Sequence, residues 1–174
     1  MIFDLPYNLE LMIIKLKNKD TLICEDFQFK CSIGKNGLKR NKFEGDKCTP
    51  IGTFLLGPVY YRSDRVAKPD TELKTIKINK RMGWCDDPNN THYNRKIRLN
   101  KKNKGEKFYR KDKIYDIILV INYNTKKIVK NKGSAIFIHI SNNYRPTRGC
   151  VALSLNDLQI LLKILKKKTK IKLS

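Results

Sequence analysis

The sequence is poor in alanine, histidine, tryptophan and negative charge. Its 174 residues include three Ala, two His and one Trp. The two His are far apart and no C-x-x-C pair occurs, so the spacing of a structural zinc site is missing. No apolar run approaches the ~20 residues of a membrane-spanning helix. Five cysteines are an odd number, which excludes a fully paired disulfide framework. The first ten residues, Met1 to Glu10, lack the basic-then-apolar pattern of a secretory signal. Asp4 and Glu10 interrupt them, and the apolar run that follows, Leu11–Ile14, is short. The sequence alone therefore predicts a cytoplasmic protein unless a leader lies outside this chain.

Positive charge is plentiful. Lys and Arg total 38 against 16 Asp and Glu, a formal net charge of +22. The length fits one domain over residues 1–174. A chain of this size buries about 68–70% of its unfolded surface, enough for a core without disulfides. An apolar content of 40% argues against disorder despite the charge. Such a charge points first to a polyanion: nucleic acid, an anionic membrane or an acidic wall polymer. Of the basic residues, however, 29 are Lys and 9 are Arg, while Lys, Asn and Ile together supply 65 residues. That is the drift of an AT-rich genome, and Arg is the residue of bidentate phosphate and guanine contacts. With no nucleic-acid motif present, no specific nucleic-acid partner is expected. The charge is also uneven. Residues 1–87 hold 16 basic and 12 acidic groups, whereas residues 88–174 hold 22 and 4. Chemistry in the second half is expected to work in a positive field.

Most periodic segments read as strands: Leu11–Lys17, Thr21–Cys24 and Phe27–Cys31, with a hairpin at Lys19-Asp20. Gly34, Gly37 and Gly45 mark a glycine-rich loop. Thr49-Pro50-Ile51-Gly52 reads as a turn leading into Leu55–Tyr61, where Pro58 marks an edge or a bulge. Residues 62–112 read mostly as loop, with one short strand near Thr75–Ile78. Tyr115–Tyr123 and Ser134–Ile140 are continuous and β-branched, as expected of core strands. One helix is evident. Ser154 with Asp157 resembles a capping box, and Leu155, Leu158, Leu161, Leu162 and Leu165 recur at helical spacing. Lys163 and Lys166–Lys168 place positive charge at its C-terminal end, and Thr169–Leu173 reads as a last strand. The fold class is mainly β with one main C-terminal helix.

Chemistry concentrates in residues 133–153. His139 sits near the end of a buried strand, and Cys150 follows eleven residues later, after a polar loop with Pro146 and Gly149. The loop can return the thiol to the imidazole, and a nearby base or positive charge, such as Arg148, activates a cysteine. Gly149 permits a tight turn whose N–H groups face a developing oxyanion. Spacing alone leaves a second reading open: an inert core thiol and a strand-ending His.

The segment His139…Thr147-Arg148-Gly149-Cys150-Val151 resembles the active-site motif of L,D-transpeptidases of the YkuD type, His…(Ser/Thr)-x-Gly-Cys. Ser32-Ile33-Gly34…Gly37 and Glu44-Gly45-Asp46…Thr49-Pro50-Ile51-Gly52-Thr53-Phe54 are similar to the family's upstream Lys-Thr-Pro-x-Gly-x-Phe segment. Tyr61-Arg62-Ser63-Asp64-Arg65, Gly83-Trp84-Cys85-Asp86-Asp87-Pro88, Tyr93-Asn94, Tyr115-Asp116 and Gly133-Ser134-Ala135 resemble a compact bacterial subgroup. The resemblance implies a β-sandwich-like catalytic domain of mixed sheets. It implies Cys150 as nucleophile, His139 as base, and backbone N–H groups around Gly149 and Cys150 as the oxyanion site. The reaction implied is cross-linking of peptidoglycan stem peptides, donor and acceptor, through a thioester. L,D-carboxypeptidase or endopeptidase action on the same peptides is the alternative. No metal or organic cofactor is implied. The implied place of work is the cell envelope, in tension with the missing export signal. Arg148 stands where many members have His.

Arg148, Thr147, Trp84, Tyr115 and Arg110 are the candidate substrate-binding residues. Trp84, with Asp86 and Asp87, either lines the groove or packs and caps its loop. Arg110, Tyr115 and Asp116 either position a stem peptide or belong to the core. His92 is expected in solvent, and Cys24, Cys31, Cys48 and Cys85 as structural thiols. The sequence does not specify the oligomeric state.

Overall fold

The structure, a computed structural model, describes residues 11–174. The expectation for Met1–Glu10 lies outside the described residues. In chain order the elements are β1 (Ile13–Lys17), β2 (Thr21–Cys24), β3 (Phe27–Ser32), β4 (Leu38–Lys39), β5 (Thr49–Pro50), β6 (Gly52–Tyr61) and β7 (Thr75–Lys77). There follow β8 (Met82–Trp84), β9 (Lys96–Arg98), β10 (Glu106–Lys107), β11 (Ile117–Ile121), β12 (Phe137–Ile140), β13 (Val151–Leu153), α1 (Leu155–Ile164) and β14 (Lys170–Leu173).

The main sheet runs β11-β12-β13-β3-β2-β1-β14-β6-β7, and β6 also pairs with β11. Two mixed sheets therefore share two strands. β3 pairs with β2 along Phe27–Lys30 and with β13 at Cys31 and Ser32. β6 pairs with β14 along Gly52–Leu55 and with β11 from Leu56 onward. Strands that pass from one sheet to the other make the corners of such a sandwich. In β6 the corner has a local cause. Val59 pairs with Leu119 and Leu56 with Ile121, so three residues of β6 advance against two of β11. This bulge contains Gly57 and Pro58, and proline has no N–H to lose there.

β11 is buried throughout and faces two cores. Ile117, Leu119 and Ile121 point into the sandwich, while Ile118 and Val120 point outward into a second apolar cluster with Tyr60, Trp84, Phe108, Tyr115, Phe137 and Cys150. β12 and β13 repeat the pattern. Ile138, Ile140, Val151 and Leu153 face the sandwich. By the two-residue period, Phe137, His139, Cys150 and Ala152 face the other way.

The second cluster exists because residues 62–112 are folded over the sheet. β8 pairs with β9 and β10 in a three-stranded sheet, where the sequence reads as loop. The strands are two or three residues long, and Lys80 and Arg81 before β8, Lys96 and Arg98 within β9 and Lys107 within β10 are exposed. β8 is buried along Met82–Trp84, but in its partners burial falls on single residues, such as Ile97 and Phe108, and runs this short are too few to mark a period.

The helix forms as its sequence indicates. Ser154 Oγ accepts from the Asp157 N–H at 3.0 Å, satisfying an otherwise orphan donor. Leu158, Leu161, Leu162 and Leu165 are fully buried in the sandwich core. Each contributes on the order of 1.5–3 kcal/mol through burial, so Leu161→Ala would be among the costlier changes in the chain. The helix ends at Ile164, with Leu165 extended as its C-cap, so Lys166–Lys168 lie in the turn after it. No described helix is long and apolar enough to cross a membrane.

Candidate active site

His139 lies on β12 and Cys150 immediately before its parallel neighbour β13. His139 is level with Ala152, so Cys150, two residues earlier, is its diagonal neighbour on the same face. Both line one cavity of about 640 Å³ between the sheet, the 42–47 loop and the 142–148 loop. The imidazole Nδ1 is 2.9 Å from the Ile140 carbonyl. A carbonyl only accepts, so Nδ1 carries the proton and Nε2 is left with a free lone pair. Tyr115 packs edge-on to the ring, with centroids 5.3 Å apart.

The thiol rests elsewhere. Cys150 Sγ donates to the Ala135 carbonyl at 3.2 Å. Burial pushes its pKa up to about 12, and burial also pushes His139 down to about 4. The resting pair is thus a neutral thiol and a neutral imidazole. The sequence suggests a thiolate favoured by positive charge; here desolvation, which disfavours either charged form, outweighs the field. The field is also balanced locally. Lys42, Lys47, Arg110, Arg145 and Arg148 line the cavity, but so do Glu44, Asp46, Asp86 and Glu106.

The loop before Cys150 is held by hydroxyls. Thr147 Oγ1 donates to the Cys150 carbonyl at 2.6 Å and accepts from the Gly149 N–H at 3.0 Å. Its backbone bridges to Gly34, with Thr147 N–H donating to Ile33 O and Lys35 N–H to Thr147 O, each at 2.9 Å. Gly149 has φ +135, and a Cβ there would sit 2.8 Å from the Cys48 carbonyl. Its N–H is spent on Thr147, so what Gly149 supplies is conformation rather than a free oxyanion donor. Thr49 holds the other side. Its fully buried Oγ1 donates to Gly149 O at 2.8 Å and accepts from Gly34 N–H at 2.9 Å. The segment read as a turn is a clamp on the loop before Cys150.

Of the sequence-derived site residues, Cys150, His139, Thr147, Arg148, Tyr115 and Arg110 line the cavity. Trp84 does not. It is buried against Phe108 and Phe137, and its Nε1–H donates to Asn94 Oδ1 at 2.8 Å. Arg110 stands in the wall with its charge partnered by Asp112 at 2.7 Å and Glu106 at 3.2 Å. Arg62, whose side chain is buried, donates to the Arg110 carbonyl at 2.8 Å. Asp116 is structural: it pairs with Arg65 at 3.0 Å. His92 is exposed. All five cysteines are free and buried.

Sequence reasoning missed the Lys42–Asp46 ion pair, buried in the cavity wall, with Lys42 Nζ also 2.5 Å from the Cys48 carbonyl. It also missed Glu106, whose pKa burial raises. The i,i+4 spacing of Lys42 and Asp46 was a visible signal, but in a glycine-bearing loop it suggests no helix and hence no pair.

The family model for the L,D-transpeptidase catalytic domain, YkuD, matches residues 11–173. The chain belongs to the YkuD family. Two solved structures resemble this YkuD domain. They are the helical cell shape determining protein Pgp2 from Campylobacter jejuni, at 19% identity and TM-score 0.49, and its K307A mutant, at 20% and 0.48. Each match covers 93% of this chain and 46% of the other, so the chain spans about half the length of these structures. No curated protein matches the chain. In this YkuD domain Arg148 is exposed at the cavity rim and has no ion-pair partner among the described residues. Its charge reaches Asp86 and Glu106 and partly offsets the upward pull of burial on both.

Proposed function

We propose that this YkuD domain is a cysteine acyltransferase of peptidoglycan, an L,D-transpeptidase that joins stem peptides in the cell envelope. One observation carries the reading. Cys150, at the entry to β13, and His139, on the adjacent β12, line the same cavity, and the imidazole is held in the tautomer with Nε2 open.

The steps follow from these groups. A stem tetrapeptide enters with the carbonyl of its meso-diaminopimelate next to Cys150. His139 Nε2 takes the thiol proton as sulfur attacks, so charge appears only when the carbonyl is in place. With the Gly149 N–H committed to Thr147, the Cys150 N–H is the oxyanion donor. Collapse expels D-Ala, whose amine receives the proton from His139, and leaves a thioester. An amine of a second stem peptide then attacks, His139 again acting as base, and the thiol is restored. Water in place of the amine would make the same site a carboxypeptidase. A cavity of about 640 Å³ falls within the roughly 300–1,000 Å³ of ligand sites. Its mixed cations and carboxylates suit a substrate that carries both ammonium and carboxylate groups.

Intact mass after exposure to a carbapenem tests the nucleophile. A covalent adduct lost in Cys150→Ala supports it, and no adduct overturns it. Product masses from a diaminopimelate tetrapeptide, with and without an acceptor amine, separate cross-linking from hydrolysis. Cell fractionation tests the envelope assignment: protein found solely in cytosol contradicts it.

A further inference from the structure

The segment Gly133–Ala135 is held more firmly than a connection needs to be. Gly133 has φ +95 and Ala135 φ +52, and a non-glycine residue keeps the left-handed conformation only where its surroundings enforce it. Here the surroundings come from residues 40 to 90 positions away. Gly133 N–H donates to Tyr93 Oη at 3.1 Å, Ser134 Oγ to Glu44 Oε2 at 2.8 Å, and Tyr93 Oη–H to the same carboxylate. Ala135 N–H donates to Asn94 Oδ1 at 3.1 Å.

Asn94 is the centre of this arrangement. It is buried, and its amide makes four hydrogen bonds. Nδ2 donates to the Tyr123 carbonyl at 3.1 Å and the Asn124 carbonyl at 2.7 Å. Oδ1 accepts from Trp84 Nε1 and from Ala135 N. Two carbonyls on one side and two N–H groups on the other fix which end of the amide is which. The other end of Ala135 touches the reaction centre, because its carbonyl accepts the Cys150 thiol at 3.2 Å.

We propose that Asn94 is a positioning residue for the nucleophile: it holds Ala135 by its N–H in the left-handed conformation, and so sets the carbonyl of the next peptide group, which holds the Cys150 thiol in its resting place. This rests on the reading of Cys150 as nucleophile. A hydrogen bond given by the neutral S–H disfavours the anion, and a thiolate there would face the Ala135 carbonyl oxygen, against which the Phe137 backbone bond is the one that favours the anion. The thiol stays protonated and poorly reactive until His139 Nε2 takes the proton and the sulfur leaves Ala135. Trp84 acts one step further back, through Asn94.

Two full-length variants test this. Asn94→Gly keeps the backbone at the observed φ of +55, which glycine adopts freely, and removes the amide. Trp84→Phe removes one donor and keeps an aromatic ring in the cluster. Carbamidomethylation of Cys150 by iodoacetamide is followed against pH by peptide mass mapping, beside kcat and KM on the tetrapeptide. In Asn94→Gly the alkylation inflection moves down by about one pH unit, while kcat falls at least about tenfold and KM changes by no more than about threefold. Trp84→Phe moves both in the same direction by less. Were Asn94→Gly unable to fold, Trp84→Phe gives the same reading. An inflection that stays in place in the folded variants overturns the proposal. Alkylation needs no stem peptide, so failure of turnover in the unmodified protein would count against the transpeptidase reading alone.

Discussion

The hydroxyl of Thr49 donates to the carbonyl of Gly149, 100 residues further along the chain and 2.8 Å away. The same oxygen accepts from Gly34 N–H at 2.9 Å. One buried side chain thus ties the glycine-rich loop to the loop before Cys150. Thr49→Val keeps the shape and removes both bonds. It should cost about 1–3 kcal/mol, because a buried carbonyl and a buried N–H lose their partner. Urea unfolding of Thr49→Val and Thr49→Ser checks this, with Ser keeping most of the stability; a Val variant as stable as the parent beside a destabilised Ser variant would show that the methyl, not the hydroxyl, matters.

Gly149→Ala addresses the conformation of the loop. At φ +135, with the Cys48 carbonyl 2.8 Å from the new Cβ, the backbone must shift next to Cys150. A displacement of about 1 Å at a reacting group costs on the order of 100-fold. Carbapenem adduct formation should slow by about that factor while far-UV circular dichroism stays unchanged. An adduct rate within about threefold of the parent would contradict the steric account.

The buried imidazole makes stability depend on pH in a defined window. His139 is held near 4 in the fold, chiefly by burial, against about 6.5 when unfolded. The unfolded chain therefore binds more protons between these values, so stability falls as pH drops from about 6.5 to about 4 and is steady above that window. The loss amounts to about 3 kcal/mol. Asp46, whose carboxyl is raised by burial but lowered further by Lys42 and backbone bonds, loses its contribution only below the usual Asp range, outside this window. His139→Gln should flatten the urea midpoint between pH 4 and 6.5. A slope equal to that of the parent would assign the effect to another group.

Lys42 and Asp46 are almost fully buried in the wall of the cavity. Removing one partner leaves a buried charge, which costs about 3–5 kcal/mol. Lys42→Met should destabilise by that order, and Lys42→Met with Asp46→Asn should recover part of it. Chemical unfolding of Lys42→Met, Asp46→Asn and the double variant forms the cycle, and strict additivity would argue that the pair is not coupled.

Much of this was legible in the sequence, and the reasons are local. The helix showed itself through Ser154 and the leucine spacing, and β11 and β12 through unbroken apolar runs. Pro58 announced the bulge that lets β6 serve two sheets. His139 and Cys150 were legible as a pair because one short loop joins their strands. The rest depends on distance in sequence. Asn94 reaches Ala135 across 41 residues, and Trp84 bonds a residue that supports the cavity from behind rather than lining it. The thiol's protonation was equally hidden: composition gave the sign of the field, whereas burial under residues 62–112, which read as loop, decides the outcome.

Arg148 separates the overall charge from the charge that matters at the site. It lies exposed at the rim without an ion pair among the described residues, opposite the carboxylates of Asp86 and Glu106 that also line the cavity. A substrate carboxylate meeting Arg148 in partial solvent gains about 1 kcal/mol or less, so reversing the charge should act through binding rather than through the chemical step. Arg148→Glu is expected to raise KM for the tetrapeptide about five- to tenfold, with most of the fall in kcat/KM carried by KM. Salt should shrink the difference, since exposed charges are screened beyond about 8–10 Å at ordinary ionic strength. Alkylation of Cys150 by neutral iodoacetamide should proceed as in the parent, because burial, not Arg148, holds the thiol protonated. An unchanged KM at low salt would remove Arg148 from the substrate's path and leave its charge, like most of the +22, without a part in recognition.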